Sequence, residues 1–455
     1  MQKHNGRYCY TPSDLVEFFA SPFASWMSRF SLDSPDHVQP DPEAPQLVTL
    51  AKQGQQHEQT VLAQLQAEGR EVYTVPPVGD HAALTLTAMR AGHEVIYQGA
   101  LTHRTFTGVA DFLVRVAGTS ALGNHHYEVW DTKLARVARP EFLLQLCCYA
   151  DLLETLQGRR PAQVWLVLGD GRPTPFRTDD YFYYYRTLKA AFLTAMQHFD
   201  PNVPPEPELG GDYGRWTSHA LTRLHACDHL SRVATITAAQ IRKLQASGIQ
   251  TLTALAKTTR SHIPKLDDTV FTRLREQAQL QITSAETERP VYCVLTPEPQ
   301  EPRRGLALLP PASPLDVYFD MEGYPLADGG LEYLFGVTSV EDGQPQYRDW
   351  WAHDAREEQR AFESFIDWVY ARWRADPTLH IYHYAAYEVT AVRELMGRYG
   401  TREAQVDTLL RNEVFVDLYT IVRQRLRVGT PDYSLKSLEC LYRERRMGEV
   451  ATGGD

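Results

Sequence analysis

Cysteine is scarce in this chain and poorly spaced for chemistry: six residues, at 9, 147, 148, 227, 293 and 440, include no Cys-x-x-Cys pair. Scattered thiols exclude a disulfide scaffold and suit a reducing compartment. The adjacent Cys147 and Cys148 read as small core residues. Long apolar runs are missing too, and the opening Met1-Gln2-Lys3-His4-Asn5-Gly6-Arg7 leads into no apolar signal region, so no membrane partner and a cytoplasmic location are expected. Positive charge is in deficit, with 46 Lys and Arg against 57 Asp and Glu and a net charge of -11. That balance argues against a protein that coats nucleic acid through a broad basic surface, while leaving room for a groove lined by a few cations. No Gly-x-x-x-x-Gly-Lys-Ser/Thr loop occurs, so ATP binding is not expected. No internal repeat stands out.

What is present is length and hydrophobic content. A chain of 455 residues that is 43% hydrophobic exceeds what one core serves. Proline-rich breaks at Asp200-Pro201-Asn202-Val203-Pro204-Pro205-Glu206-Pro207 and from Thr296-Pro297-Glu298-Pro299 to Leu309-Pro310-Pro311 predict three segments, 1–200, 201–295 and 296–455.

In the first segment, Gly108 to Val116 and Tyr127 to Lys133 alternate apolar and polar residues across a short turn, which predicts two strands of one hairpin. Period two puts Asp131 and Lys133 on one face. Carboxylates from adjacent strands, Asp111 and Asp131, can chelate a hard divalent cation, with Lys133 beside an attacking water or the charge developing on phosphorus. Glu141 to Thr155 reads as an amphipathic helix in which Gln145 and Tyr149, four apart, share a face directed at the strand ends. Gln145 could there hold a phosphate or a water. Upstream, Leu50 to Glu68 is a second helical pattern carrying Gly54, His57 and Glu58, and the His57 imidazole could complete a metal shell. The aromatic run Tyr181 to Tyr185 reads chiefly as the packed face of a helix, with stacking on bases the alternative.

This order, helical His57, strand Asp111, strand Asp131-Thr132-Lys133 and helical Gln145/Tyr149, resembles the RecB-like nucleases of the PD-(D/E)XK superfamily, including CRISPR-associated RecB-like exonucleases. The resemblance implies a restriction-endonuclease-like mixed sheet flanked by helices. It also implies that His57, Asp111 and Asp131 bind Mg or Mn, that Lys133 assists catalysis, and that Gln145 and Tyr149 support DNA binding. Several related nucleases hold an iron-sulfur cluster through cysteines around this domain. Here Ser21, Gly211, Gly214 and Ala220 stand in the corresponding stretches, so no cluster is expected.

The middle segment is predicted helical. Thr237 to Ile249, followed by Thr251 to Ala256, resembles a helix-hairpin-helix module in which Gly248 permits the turn and its amides could face a DNA phosphate. A purely structural spacer is the equal alternative. Cys227-Asp228-His229-Leu230 lacks further ligands and reads as structural.

The last segment offers a second acidic constellation. Leu315 to Gly323 predicts a strand carrying Asp320 and Glu322 on one face, and Leu331 to Val337 the next strand. This resembles the start of an RNase H-like exonuclease of the DEDD type, whose acids bind paired cations. Leu379 to Tyr384 predicts a strand leading into a helix that carries Glu388 at the place of the third acid, with Asp417 as another acid further on. Glutamate there extends the carboxylate by one methylene. The final aspartate of the set has no candidate before Gly453-Gly454-Asp455, so the α/β domain is expected to be cut short or its metal site incomplete.

Taken whole, the order resembles a bacterial family of predicted RecB-like nucleases, some of whose members continue into a superfamily I helicase. The resemblance implies an α/β multidomain protein and a Mg- or Mn-dependent nuclease. Its partner would be DNA, single-stranded or at ends and flaps, in repair or recombination. Two alternatives stand beside it: a non-catalytic nucleic-acid-binding adaptor for a helicase, and an exonuclease working through the RNase H-like end.

Overall fold

Alternating burial along two adjacent strands organises the first half of the molecule. The computed structural model describes the chain apart from residues 5, 44, 208–209, 297–303, 325–329 and 444–455. Pro297-Glu298-Pro299 of the second proline-rich break and the terminal Gly453-Gly454-Asp455 therefore lie outside the described residues. The chain divides into two compact units, Met1–Ala226 and Cys227–Asp455.

The first unit opens with an antiparallel pair, β1 (Gln2–His4) and β2 (Arg7–Cys9). Helix α1 (Pro12–Ala20) follows, started by Pro12 at its first turn and by a capping box between Thr11 and Asp14. Helices α2 (Pro22–Asp33), capped by Ser21, and α3 (Pro45–Ala67) come next. Then follow β3 (Val72–Thr74), α4 (His81–Ala91), β4 (Val95–His103), β5 (Phe106–Ser120), β6 (Gly123–Thr132), α5 (Pro140–Gln157), β7 (Gln163–Val167), β8 (Pro173–Arg177), α6 (Thr178–Gln197) and α7 (Thr217–Ala226). The six-stranded sheet runs β3-β4-β5-β6-β7-β8. It is mixed, because β3/β4 and β6/β7 are parallel while the other neighbours are antiparallel.

On one face of this sheet Ile96, Leu113, Val129 and Leu166 pack against Leu146, Tyr149, Ala150 and Leu153 of α5. On the other, Val95, Tyr97, Phe112, Val114 and Trp130 pack against Val61 and Leu65 of α3. The period-two switch between faces is what a sheet covered on both sides requires. Cys147 and Cys148 are wholly buried in α5. The aromatic run lies in α6, where Phe182 and Tyr185 are buried and Tyr183 and Tyr184 are exposed, so the helix buries only one side of it. Tyr213, Trp216 and Ala220, beyond the first proline-rich break, share a small core with Phe23 and Met27 of α2.

The second unit contains α8 (Ala238–Ala246), α9 (Leu252–Lys257), α10 (Asp268–Ala285), β9 (Tyr292–Val294), β10 (Val317–Tyr324), β11 (Leu331–Glu341), β12 (Gln344–Trp351), α11 (Ala355–Ala375), β13 (Ile381–His383), α12 (Tyr387–Tyr399), α13 (Glu403–Arg411), β14 (Phe415–Asp417), α14 (Leu418–Arg425), β15 (Leu426–Val428) and α15 (Leu435–Glu439). Its main sheet runs β12-β11-β10-β13-β14, three antiparallel strands followed by two parallel ones. Phe319, Phe335, Phe362, Phe365 and Ile381 build the core under α11, each fully buried side chain contributing roughly 1.5–3 kcal/mol. Strand β15 pairs with β9, tying the stretch after α10 to the stretch after α14. The turn between α8 and α9 carries Gly248 at φ 84, a conformation glycine adopts without steric cost. Its amide donates to the Gln245 carbonyl at 2.9 Å, so Gly248 closes a helix end and does not offer a free donor. Among the described residues no helix is long and apolar enough to cross a membrane.

Candidate active site

Two carboxylates meet where β5 and β6 part. The register pairs Phe112 with Trp130; one step further along the strands it sets Asp111 opposite Asp131. There the ladder stops, and the Asp111 Oδ2 atom takes the donors instead, accepting from the Thr132 amide at 2.8 Å and the Thr132 hydroxyl at 2.7 Å. Asp131 alternates with Val129 and so lies toward the α5 face of the sheet, while the half-buried Asp111 is coupled both to Asp131 and to Glu58 of α3. On the other side of β5 the paired strand β4 is irregular, with Gln98 at φ 57. A non-glycine residue in that region stores backbone strain, which the surrounding structure must hold.

Asp131 is 2% exposed, and its carboxyl is pushed up to about 7. Burial is the main cause, opposed by the Lys133 ammonium and reinforced by the Asp111 and Glu58 carboxylates. Lys133 lies just past the end of β6, its amide donating to the Val167 carbonyl at 2.9 Å and its ammonium paired directly with Asp131 Oδ2. The same ammonium faces the Phe142 ring at 5.7 Å. The structure thus brings Asp111, Asp131 and Lys133 together.

Helix α5 delivers the next pair. Tyr149 is buried and donates its hydroxyl to the Val109 carbonyl at 2.7 Å. Burial is the first cause that raises its hydroxyl, the Asp131 carboxylate the second, and a hydrogen bond with Gln145 opposes them. The ring reaches the strand because Gly108 has no side chain: a Cβ there would lie 2.9 Å from Tyr149 Cε1. Tyr149 therefore positions β5 beside Asp111, and Gln145, partly exposed, is hydrogen-bonded to it.

Helix α3 contributes a residue, Glu58, that the sequence reading named without giving it a role. His57 lies at the margin, with Nε2 3.3 Å from the Val167 carbonyl that also receives the Lys133 amide. Its neighbour Glu58 is the one coupled to the acids. Its carboxyl is raised first by burial and next by Asp111, and it accepts a hydrogen bond from Gln98. The signal was in the sequence, since Gly54, Glu58, Val61 and Leu65 form a stripe at helical spacing, and Val61 and Leu65 pack on the sheet.

Oxygen donors at this density suit a hard divalent cation. Asp111, Asp131 and Glu58 supply the carboxylates, and a buried acid raised to about 7 is a group that gains from a cation beside it. Among the described residues no three His, Cys, Asp or Glu side chains form a ready metal-holding group. Lys133 occupies the Asp131 oxygen that such an ion would take.

The second constellation lies in the other unit. Asp320 and Glu322 sit on β10, and Glu388 on the first turn of α12. Asp320 has its carboxyl raised by burial and then by the carboxylates of Glu388 and Glu322, so the three acids face one another. Glu388 is 4% exposed, and its Oε2 has no hydrogen-bond partner; the closest cation-forming group is His383, whose Nδ1 is 3.5 Å away and donates to the Ala385 carbonyl at 2.7 Å. An orphaned buried carboxylate oxygen facing two further acids fits a cation. Asp417 is engaged differently: it accepts from the amides of Ala385 and Tyr419 and from the Thr420 hydroxyl. It caps α14 and braces the residue before α12.

A family model described as the RNase H superfamily matches residues 317–455, the stretch that begins with β10. The fold is accordingly a mixed α/β multidomain one with an RNase H-like domain at its C-terminal end. The match points to nucleic-acid processing of a nuclease type. No curated protein matches the chain.

Proposed function

We propose that the protein is a Mg- or Mn-dependent nuclease that hydrolyses phosphodiester bonds in DNA, at single-stranded ends or flaps, through Asp111, Asp131 and Lys133. One observation carries this reading: a buried acid, Asp131, is set against a second strand acid and paired with a lysine two residues on. Burying an acid pair is costly unless it serves a ligand. The RNase H-like match in the other unit supports the same substrate class.

Asp111, Asp131 and Glu58 would hold the cation, with His57 at the margin of the shell. When bound, the ion supplies Lewis acidity at the phosphate and a water acidic enough to attack phosphorus near neutral pH. Lys133 is tethered through its amide to Val167, so its ammonium stays beside the acids and can neutralise charge on the phosphoryl oxygens or orient the nucleophile. Gln145, partly exposed on α5, can hold a phosphate oxygen. Tyr149 keeps β5 in place beneath them.

A second reading follows from the orphaned Glu388 oxygen: Asp320, Glu322 and Glu388 form the working centre, as an exonuclease of the RNase H-like type. Cleavage of a labelled single strand with manganese separates the two. Loss in Asp131→Ala and Lys133→Ala with binding kept supports the first, and loss in Asp320→Ala alone supports the second. Binding without cleavage by the wild type would leave an adaptor role that positions DNA for a helicase.

A further inference from the structure

Three arginines of the second unit, none of them part of either acidic centre, converge on one cleft. Arg273 of α10, Arg423 of α14 and Arg427 of β15 line it together with Thr235, Gln277 and Tyr433. Among the described residues none of the three forms an ion pair with a carboxylate, and Arg273 is held below its ordinary value by burial and by repulsion from Arg427 and Arg423. The Nε of Arg427 is buried with no hydrogen-bond partner. Like charges gathered without a counterion are destabilising, and an unsatisfied buried donor adds to that cost.

The floor of the cleft is fixed. Gln277 donates to the Val428 carbonyl at 2.7 Å and accepts from the Tyr433 hydroxyl at 2.8 Å, which locks β15 onto α10. Arg273 Nη1 donates to the Thr235 hydroxyl at 3.0 Å. Thr235 is at φ 65, a left-handed conformation that a β-branched residue adopts only when its surroundings enforce it. Planar guanidinium forks held this way match the oxygens of a phosphate.

We propose that this cleft is a phosphate-binding site that grips the backbone of the nucleic-acid strand handled by the second unit. Inorganic phosphate shares the recognition chemistry but is not the ligand we assign. The proposal rests on the nucleic-acid reading of that unit, and the experiment separates the two. The full chain and its Arg423→Gln/Arg427→Gln variant are compared with a charge-matched control, Arg374→Gln/Arg411→Gln, whose residues lie on α11 and α13.

Fluorescence anisotropy with a labelled single-stranded oligonucleotide across a salt series is expected to show about tenfold weaker binding for the cleft variant. Its plot of log affinity against log salt should be shallower by about one, the loss of one phosphate contact. The control should move neither by as much. Melting without added anion checks folding, and the cleft variant should melt no lower than the wild type because repulsion has been relieved. Equal affinity and equal salt slope in the cleft variant and the control would overturn the proposal. If the wild type binds no oligonucleotide, the nucleic-acid reading fails instead. Melting with inorganic phosphate then decides the cleft: a rise in the wild type that the cleft variant lacks keeps a phosphate site for a small ligand, and no rise in either removes it.

Discussion

Replacing Asp131 with asparagine should stabilise the cation-free protein above neutral pH while destroying its response to manganese. Asp131 is buried, with its carboxyl moved from 3.8 to about 7, which corresponds to on the order of 4 kcal/mol against ionising it in the folded state. The sign follows from proton counts. Between those values the folded protein holds a proton that the unfolded chain has released, so stability falls as pH rises from about 4 to about 7 and the full cost is present above 7. Asparagine never ionises, so it escapes the cost, which already includes the favourable pairing with Lys133. The net gain at pH 8 is then at most on the order of 4 kcal/mol, and near pH 4 it vanishes. For a unit of this size each kcal/mol moves Tm by about 2–4 °C. Thermal melts of the full chain in chelator at pH 5 and pH 8, repeated with manganese, test it. Wild type at a hundredfold excess over Kd should gain about 2.7 kcal/mol and the variant nothing. A variant less stable than wild type by the same amount at both pH values, or an equal manganese response in both proteins, would refute the assignment of Asp131 as a buried acid kept for a cation.

Three further substitutions separate the parts. Lys133→Met should lower manganese-dependent cleavage by about 10²–10⁴ while leaving oligonucleotide anisotropy within a factor of a few, since a charge acting in the transition state contributes little to ground-state binding. Glu58→Gln removes a carboxylate coupled to Asp111; manganese affinity by calorimetry should weaken by roughly tenfold, and an unchanged affinity would return the third ligand role to His57. Gly323→Ala would put a Cβ 2.3 Å from the Tyr387 hydroxyl and 2.5 Å from Glu332 Oε2, the ends of two side chains that can move aside, so it should change Tm little while disturbing the Tyr387–Glu332 hydrogen bond. It should also abolish cleavage only if Asp320, Glu322 and Glu388 form the working centre; intact cleavage in a folded variant would place the chemistry in the first unit.

The parts of this protein that sequence disclosed are those whose logic is local. Alternation of apolar residues gives β5 and β6, and from the same pattern Asp131 and Lys133 fall on one face, with Asp111 on the adjacent strand. A four-residue interval places Gln145 and Tyr149 on one face of α5. The roles within those sets are a different matter, because they depend on what the rest of the chain brings up against them. Tyr149 spends its hydroxyl on the Val109 carbonyl, a contact that needs Gly108 to be bare at a separation of 41 residues. On α3 the choice between adjacent His57 and Glu58 is a rotation of one helical step, decided by Val61 and Leu65 docking on the far face of the sheet. Asp417 looks in sequence like one more acid at a strand end, yet it spends its oxygens on two backbone amides and a hydroxyl.

The arginine cleft lies furthest from sequence, since Arg273 and Arg427 belong to no common motif and meet only because β15 returns to α10. A repulsive cluster of that kind can persist only where the surrounding fold is stable enough to hold it, and a ligand of opposite charge would return that energy on binding. The same reasoning governs Asp131. On the proposed reading, the electrostatic cost in both places is offset by a partner, a cation in the first unit and an anion in the second. The two should therefore respond to ions of opposite charge: manganese raises stability through Asp131, phosphate through Arg423 and Arg427, and each effect disappears with its own substitution and survives the other.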